Sequence, residues 1–262
     1  MRRRSSTLEH PAFLVRVSEL GPASDRTWLL GLFTGLLFTV IAAVWFSYPA
    51  SMTGKFWAYA GLLIRASLYL WAGDALRGRG GEALSRLLGL GLVAGSFELL
   101  VDWWLIHGVS SGRLVYLTGN DVVLLGSPVW MPLAWACVIV ELGYPALRLF
   151  HCLVQSGNPR RAALMASLAC GAAASLTVGV YEYLAYRAGW WKYEPARAMI
   201  GKFCALYIPL GEFVMFLAIV PIAARVLADE KRSCAAAIVG GARFAVAIAA
   251  GYALAYVLLE CR

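Results

Sequence analysis

Charge is the scarcest thing in this chain. Only 15% of its 262 residues are Asp, Glu, Lys or Arg, against 61% hydrophobic, and the mean hydropathy is +0.69. Soluble domains keep about a quarter of their residues charged, so a soluble globular domain is excluded and an integral membrane protein is expected. Histidine is nearly missing, with three in the chain. No Glu-x-x-His pair occurs, so a di-iron site of the carboxylate-bundle kind lacks its ligands, and no catalytic transition metal is expected; Mg²⁺ would enter only with a phosphate-bearing substrate. The six cysteines show no Cys-x-x-Cys spacing and read as small apolar fillers, not as disulfides or zinc ligands. No apolar stretch precedes the first long apolar run, so no signal peptide is expected. The net charge of +8 rests on basic residues in short loops, the pattern of topology determinants and not of a nucleic-acid surface.

What is there in abundance is apolar runs. Seven are long enough to cross a bilayer at about 20 residues each: near 28–46, 56–74, 85–106, 128–148, 163–187, 203–225 and 235–259, behind a basic segment over 1–27. Lys and Arg number 14 on the side of the N-terminus and 7 on the other. That asymmetry predicts the N-terminus in the cytoplasm and the C-terminus outside, with a bacterial inner membrane as the expected location. The four positives around the fifth loop (Arg187, Lys192, Arg197, Lys202) run against the trend.

Five carboxylates sit inside these runs: Glu98, Asp102, Glu141, Glu182 and Glu212. An ionisable group in hydrocarbon costs at least ~2.5–3.5 kcal/mol, so each is read as used. With ~1.5 Å of rise per residue, Glu98, Asp102, Glu182 and Glu212 fall within roughly the outer 15 Å, the common level that one site requires. Glu141 falls in the inner half and reads as structural, bonded to a neighbouring helix. Glu98 and Asp102, at i and i+4, share a helix face. His107 is expected near that face at the membrane surface, and Arg65 is expected as the buried counter-ion of the pair.

Two segments read alike. Glu98-Leu-Leu-Val-Asp102-Trp-Trp leads through Gly108 and Tyr116 to Met131-Pro132-Leu-Ala-Trp135. Tyr181-Glu182-Tyr183 leads through Gly189-Trp-Trp-Lys-Tyr193 to Ile208-Pro209-Leu-Gly-Glu212. Each has an acid late in an outward span, a Gly and aromatic loop, and a Pro-Leu step early in the returning span. The expected fold is therefore an all-α integral membrane bundle of seven transmembrane helices with an internal repeat, its site at the repeat interface.

A carboxylic acid in an apolar site can donate a proton, because burial disfavours its charged form. A nearby pair divides acid and base roles. The aromatics expected around the carboxylates, Trp103, Trp104, Trp130, Trp135, Tyr181, Tyr183, Trp190, Trp191 and Tyr193, suit a carbocation, since aromatic faces attract cations by roughly 0.5–2 kcal/mol. Trp130, Trp190 and Trp191 read equally as an interfacial belt. Asp121 reads as a turn residue, His151 as solvated, and Arg243 as snorkelling or pairing with Glu141.

Residues 181–216 resemble the membrane-type lycopene cyclase domain, with its helix acid, Gly-x-Trp-x-Tyr step and Pro-x-Glu-Glu. On that resemblance Glu182 takes the helix acid, Trp191 and Tyr193 the loop aromatics, and Pro209 and Glu212 the Pro-x-x-Glu, while Gly211 stands where the family has its first Glu. Gly126-Ser-Pro-Val-Trp-Met-Pro-Leu-Ala-Trp is similar to a stretch of carotenoid hydratases. The resemblance implies cofactor-independent cyclisation, hydration or isomerisation of an isoprenoid alkene. The expected catalytic residues are Glu212, Glu182, Glu98 and Asp102. Trp103, Trp135, Tyr181, Trp191, Tyr193 and Arg65 are expected to bind substrate, and no metal or cofactor is expected. The expected partners are a lipophilic isoprenoid and the bilayer, with homodimerisation left open and no nucleic acid. A proton-coupled carrier or a non-catalytic lipid-binding subunit is the alternative.

Overall fold

In a computed structural model the described residues are 8, 10–45, 52–117, 121–155, 157–229 and 233–261; Arg2, Arg3 and Arg4 of the basic segment lie outside them. The helices are α1 (Pro11–Ser18), α2 (Pro22–Trp45), α3 (Met52–Ala75), α4 (Gly81–His107), α5 (Met131–Val154), α6 (Pro159–Arg187), α7 (Tyr207–Phe216), α8 (Ile219–Ala228) and α9 (Ser233–Glu260). Five of them, α2, α4, α5, α6 and α9, are long and apolar enough to cross a membrane, and α7 with α8 makes a sixth crossing if the bent pair is one span. Their outward faces carry large apolar side chains such as Leu30, Phe33, Leu37, Leu176 and Val246, as lipid contact requires. The chain is an all-α membrane protein. α3 is as long as α2, but Lys55, Arg65 and Asp74 make it less apolar.

Residues 11–18 of the basic segment form a helix of their own before the first span. Pro11 opens α1 where its missing N–H is free, and Phe13 and Val17, one turn apart, are buried against the bundle. His151 Nδ1 lies 2.6 Å from the Val17 carbonyl, and Arg148 donates to the Leu20 carbonyl at 2.9 Å. His151 therefore fastens α1 to α5 and is not simply solvated. Arg243 is exposed and does not reach Glu141.

The sixth apolar run is not one straight helix. It is bent by 40° between α7 and α8. Pro221 accounts for the break, since its ring collides with the carbonyl four residues back and it has no N–H to donate. The chain tightens across the gap, with Leu217 N–H donating to Val214 O and Ala218 N–H to Met215 O. Pro145 inside α5 acts on the same principle. It leaves the Glu141 carbonyl without its helical donor, and Trp28 Nε1 from α2 supplies one at 3.0 Å.

α4 is the central helix, packed against α3, α5 and α9, while α7 is held between α6 and α9. The α4–α5 contact is close because Gly91 and Gly95, one turn apart, face α5. A Cβ on Gly91 would stand 2.6 Å from the Ala136 Cα, and one on Gly95 would stand 2.8 Å from Pro132 O. Small residues at this spacing let helix backbones approach in a membrane.

The described residues of the two long connections, 108–117 with 121–130 and 188–206, fold over one end of the bundle as a cap. β1 (Leu114–Tyr116) and β4 (Trp191–Tyr193) pair antiparallel, with Tyr116 opposite Trp191. β2 (Val123–Leu124) and β3 (Ser127–Pro128) form a hairpin whose turn residues Leu125 and Gly126 both have positive φ, the conformation a two-residue hairpin turn requires. β5 (Met199–Ile200) and β6 (Cys204–Ala205) make a third small ladder. The end of α9 staples both loops. Tyr256 OH accepts from Ser110 N–H at 2.9 Å, and Glu260 accepts from Ser111 Oγ at 2.7 Å and from Arg197 N–H at 2.9 Å.

Gly91→Val should destabilise the protein by about 1–3 kcal/mol or more through overpacking, read as a lower melting temperature in detergent. Gly89→Ala, whose Cβ would meet only Ala237 at 3.7 Å, should melt like the parent chain.

Candidate functional site

A cavity of about 400 Å³ lies beneath the cap, and all five carboxylates line it. α4 presents Glu98 and Asp102, α6 Glu182, α7 Glu212, and α5 Glu141. All five are at least 94% buried, so the hydrogen bonds they receive decide what each can do. Asp102 Oδ2 accepts from Tyr116 OH at 2.5 Å and from Ser127 Oγ at 2.8 Å. Glu182 accepts from Trp191 Nε1 at 2.6 Å on one oxygen and from Tyr193 OH at 3.2 Å on the other. Glu212 Oε1 accepts from Tyr252 OH at 2.7 Å. Glu98 differs: its Oε2 is buried without a hydrogen-bond partner among the described residues, and its neighbours are Asp102 and Trp135.

Tyr116 and Tyr193 belong to the cap strands. Burial first, then the facing Asp102 or Glu182, pushes each phenol well above the usual tyrosine range, so both stay neutral donors. The cap thus supplies donors to the carboxylates from above, and α9 supplies Tyr252 from the side.

Glu141 is not set apart from the others. It lines the same cavity and holds Arg65, whose Nη1 lies 2.5 Å from Glu141 Oε1; Arg65 Nε donates to Gly61 O at 3.2 Å. Tyr181 OH donates to the second Glu141 oxygen at 3.4 Å. Arg65 is therefore the counter-ion of Glu141 and not of the Glu98–Asp102 pair. Depth along the helices explains the change. Arg65 stands 13 residues into α3 and Glu141 10 residues into α5, both near mid-bundle, whereas Asp102 is five residues from the end of α4. Gly35 on α2 makes room for the guanidinium, since a Cβ there would collide with it.

Glu98, Asp102, Glu182, Glu212, Trp135, Tyr181, Trp191, Tyr193 and Arg65 all face the cavity. Trp103 does not. It is 48% exposed and its ring lies 5.6 Å from that of His107, outside the bundle. At 100° per residue the neighbour of an inward Asp102 is turned away from it. His107 is likewise exposed, because nine residues after Glu98 is two and a half turns, the opposite face. Trp130 and Trp190 are no interfacial belt: they are 4% and 7% exposed and form an edge-packed cluster with Trp191 in the cavity roof. Asp121 does more than turn the chain. It accepts from Tyr59 OH at 2.9 Å and from Trp130 Nε1 at 3.1 Å, tying the cap to α3.

Sequence reasoning missed Tyr116, Ser127, Tyr252 and Trp28. Gly211 was a signal for Tyr252: a Cβ at 211 would run into the Tyr252 ring, and one at Gly251 would stand 2.7 Å from the Gly211 carbonyl. This glycine is what brings α9, with its tyrosine, onto Glu212. Among the described residues no three His, Cys, Asp or Glu side chains converge as a metal cradle.

A family model described as a domain of unknown function, DUF6989, matches residues 99–259, and the chain belongs to that family. No curated protein and no solved structure matches the chain.

Arg65→Met should cost about 3–5 kcal/mol, because it strands the buried Glu141 charge. Arg65→Met combined with Glu141→Leu should recover most of that loss. Thermal melts of the three proteins in one detergent check both statements.

Proposed function

We propose that this member of the family is a membrane enzyme performing acid/base chemistry on an isoprenoid alkene. The observation that carries the reading is an apolar, tryptophan-roofed cavity lined by Glu98, whose Oε2 is buried with no hydrogen-bond partner among the described residues. Glu98 lines the cavity, and an acid oxygen with no fixed partner can turn toward a ligand held there. Glu182 cannot do so in the same way, because both of its oxygens already receive hydrogen bonds. Glu212 receives one hydrogen bond, on Oε1. Glu98, with its Oε2 unpartnered among the described residues, is therefore our proposed donor in place of Glu212, which takes a supporting role.

In the proposed step the Glu98 O–H proton passes to one alkene carbon as the π pair forms the new C–H bond. The cation left on the other carbon lies among Trp130, Trp135 and Trp191, whose faces stabilise positive charge. Glu182, Glu212 and Asp102 surround it with negative or polar oxygens. Loss of a proton to a carboxylate gives an isomerised product. Attack of a second π pair on the cation forms a ring C–C bond, and proton loss from the new cation gives a cyclised one. Capture of water, followed by loss of its proton to a carboxylate, gives a hydrated one. The resemblance to lycopene cyclases and carotenoid hydratases supports the same substrate class.

The reading includes α3 as a seventh span, its charge made tolerable by the Arg65–Glu141 pair. It also takes the N-terminus as cytoplasmic, with the cap and the cavity toward the outer face. The internal repeat is supported by one feature: the loops that follow α4 and α6 each contribute one strand, β1 and β4, to a shared ladder.

Glu98→Gln should abolish product in pigment and lipid extracts of a host that expresses the chain, with expression and melting temperature unchanged. Glu212→Gln should reduce it by a smaller factor. Full turnover in Glu98→Gln would overturn the donor assignment.

A further inference from the structure

A second cleft, of about 330 Å³, indents the cap from outside. His107, Arg113 and Glu194 line it and are exposed, so it is an aqueous space. Among the described residues, only Leu114 and Tyr116 line both this cleft and the inner cavity. Leu114 has no exchangeable proton on its side chain. Tyr116 has one, and its hydroxyl donates to Asp102 Oδ2 at 2.5 Å. The other donor to that oxygen, Ser127, is fully buried and lines neither space. Asp102 in turn neighbours Glu98, one helical turn away on the same face.

We infer that Tyr116 is the proton entry of the site, connecting the aqueous cleft to the buried Asp102–Glu98 pair. This rests on the acid/base reading of the cavity and adds to it the route by which a site enclosed in hydrocarbon is loaded from water. The step balances at each oxygen. When the pair has given up a proton, the Tyr116 O–H bond breaks and its proton forms a new O–H bond at Asp102 Oδ2. A hydronium in the cleft passes a proton to the Tyr116 oxygen and becomes water. Tyr116 ends as it began, and one proton has crossed the cap. Tyr116 acts through Asp102 and is a positioning and relay residue, not a catalytic one.

The test needs no substrate. The carboxylic-acid C=O stretch of the pair is identified by infrared difference spectroscopy as the band altered in both Asp102→Asn and Glu98→Gln. Its shift is then followed after transfer of the purified, detergent-solubilised protein into D₂O. Proton transfer through a positioned group is worth about 10²–10⁴-fold, so Tyr116→Phe should slow this exchange by at least about 10²-fold. The phenyl ring keeps its place opposite Trp191, because the β1–β4 pairing is made by backbone groups. Ser127→Ala removes a hydrogen bond from the same Asp102 oxygen without touching the cleft, and should exchange at the parent rate. An unchanged rate in Tyr116→Phe, or an equal slowing in Ser127→Ala, would overturn the route while leaving the acid assignment intact. Absence of any such band would instead overturn the acid reading on which the route rests.

Discussion

Five carboxyl groups inside a hydrocarbon-facing bundle have no bulk water to satisfy them, and the rest of the structure answers that constraint. An unsatisfied polar group at such depth costs several kcal/mol, so each acid must be met by a donor from another element. Asp102 and Glu182 take theirs from the cap, through Tyr116, Ser127, Trp191 and Tyr193, and Glu212 takes its donor from α9. Glu141 takes Arg65 from α3. The cap is therefore part of the site's electrostatics as well as its roof. Its position is fixed in turn by Asp121, Tyr256 and Glu260. Loop, helix end and buried acid form one hydrogen-bonded unit, and the Glu98 oxygen is the place where that unit is left open.

The same requirement governs the backbone. Pro145 frees the Glu141 carbonyl, and Trp28 fills the vacancy from across the cavity. One residue of α5 thus receives an ion pair at its side chain and an indole N–H at its main chain, which locks α2 and α3 to α5 at mid-depth. Gly35, Gly91, Gly95 and Gly211 let the helices approach closely enough for these bonds to be made. Substituting Gly35 or Gly211 would push on a donor, Arg65 or Tyr252, whereas substituting Gly91 or Gly95 would overpack α4 against α5.

Much of this was legible in the sequence because the signals were of the kind that hydropathy carries. Five of the seven expected runs coincide with helices long and apolar enough to span, with ends up to six residues away, and the sixth is a bent pair; an apolar run of bilayer length has few alternatives. Depth gathered four of the carboxylates but set apart Glu141, which lines the same cavity, and i, i+4 spacing placed Glu98 with Asp102. What could not be read were contacts between elements far apart in the chain. Arg65 and Glu141 are 76 residues apart, and nothing local distinguishes that pairing from one with Asp102. Tyr116 and Tyr252 look like any other tyrosines until the β1–β4 ladder and the Gly211–Gly251 approach bring them to the acids. Trp103 and His107 erred through angle: proximity in sequence was taken for a shared face, where helical rotation turns both outward. Pro221 did carry its message in the sequence, and the bend it makes bears on function.

A broken span is the hallmark of many carriers, in which unwound backbone coordinates an ion at mid-membrane. The bend between α7 and α8 has a different character. Phe216 and Ile219 on its two sides are fully buried, and neither they nor Leu217 and Ala218 line the cavity. The turn N–H groups are engaged by i to i−3 bonds, and Gly143 and Gly171 let α5 and α6 pack against the bend and the α7 backbone. The polar groups that face the cavity are side chains within helices, Glu212 of α7 among them, and on a stapled cap. A fixed constellation of that kind suits chemistry on a ligand held in place better than alternating exposure to two sides of a membrane. The break instead tilts α7 independently of α8, and α7 is the short helix that sets Glu212 against Tyr252 at the cavity wall.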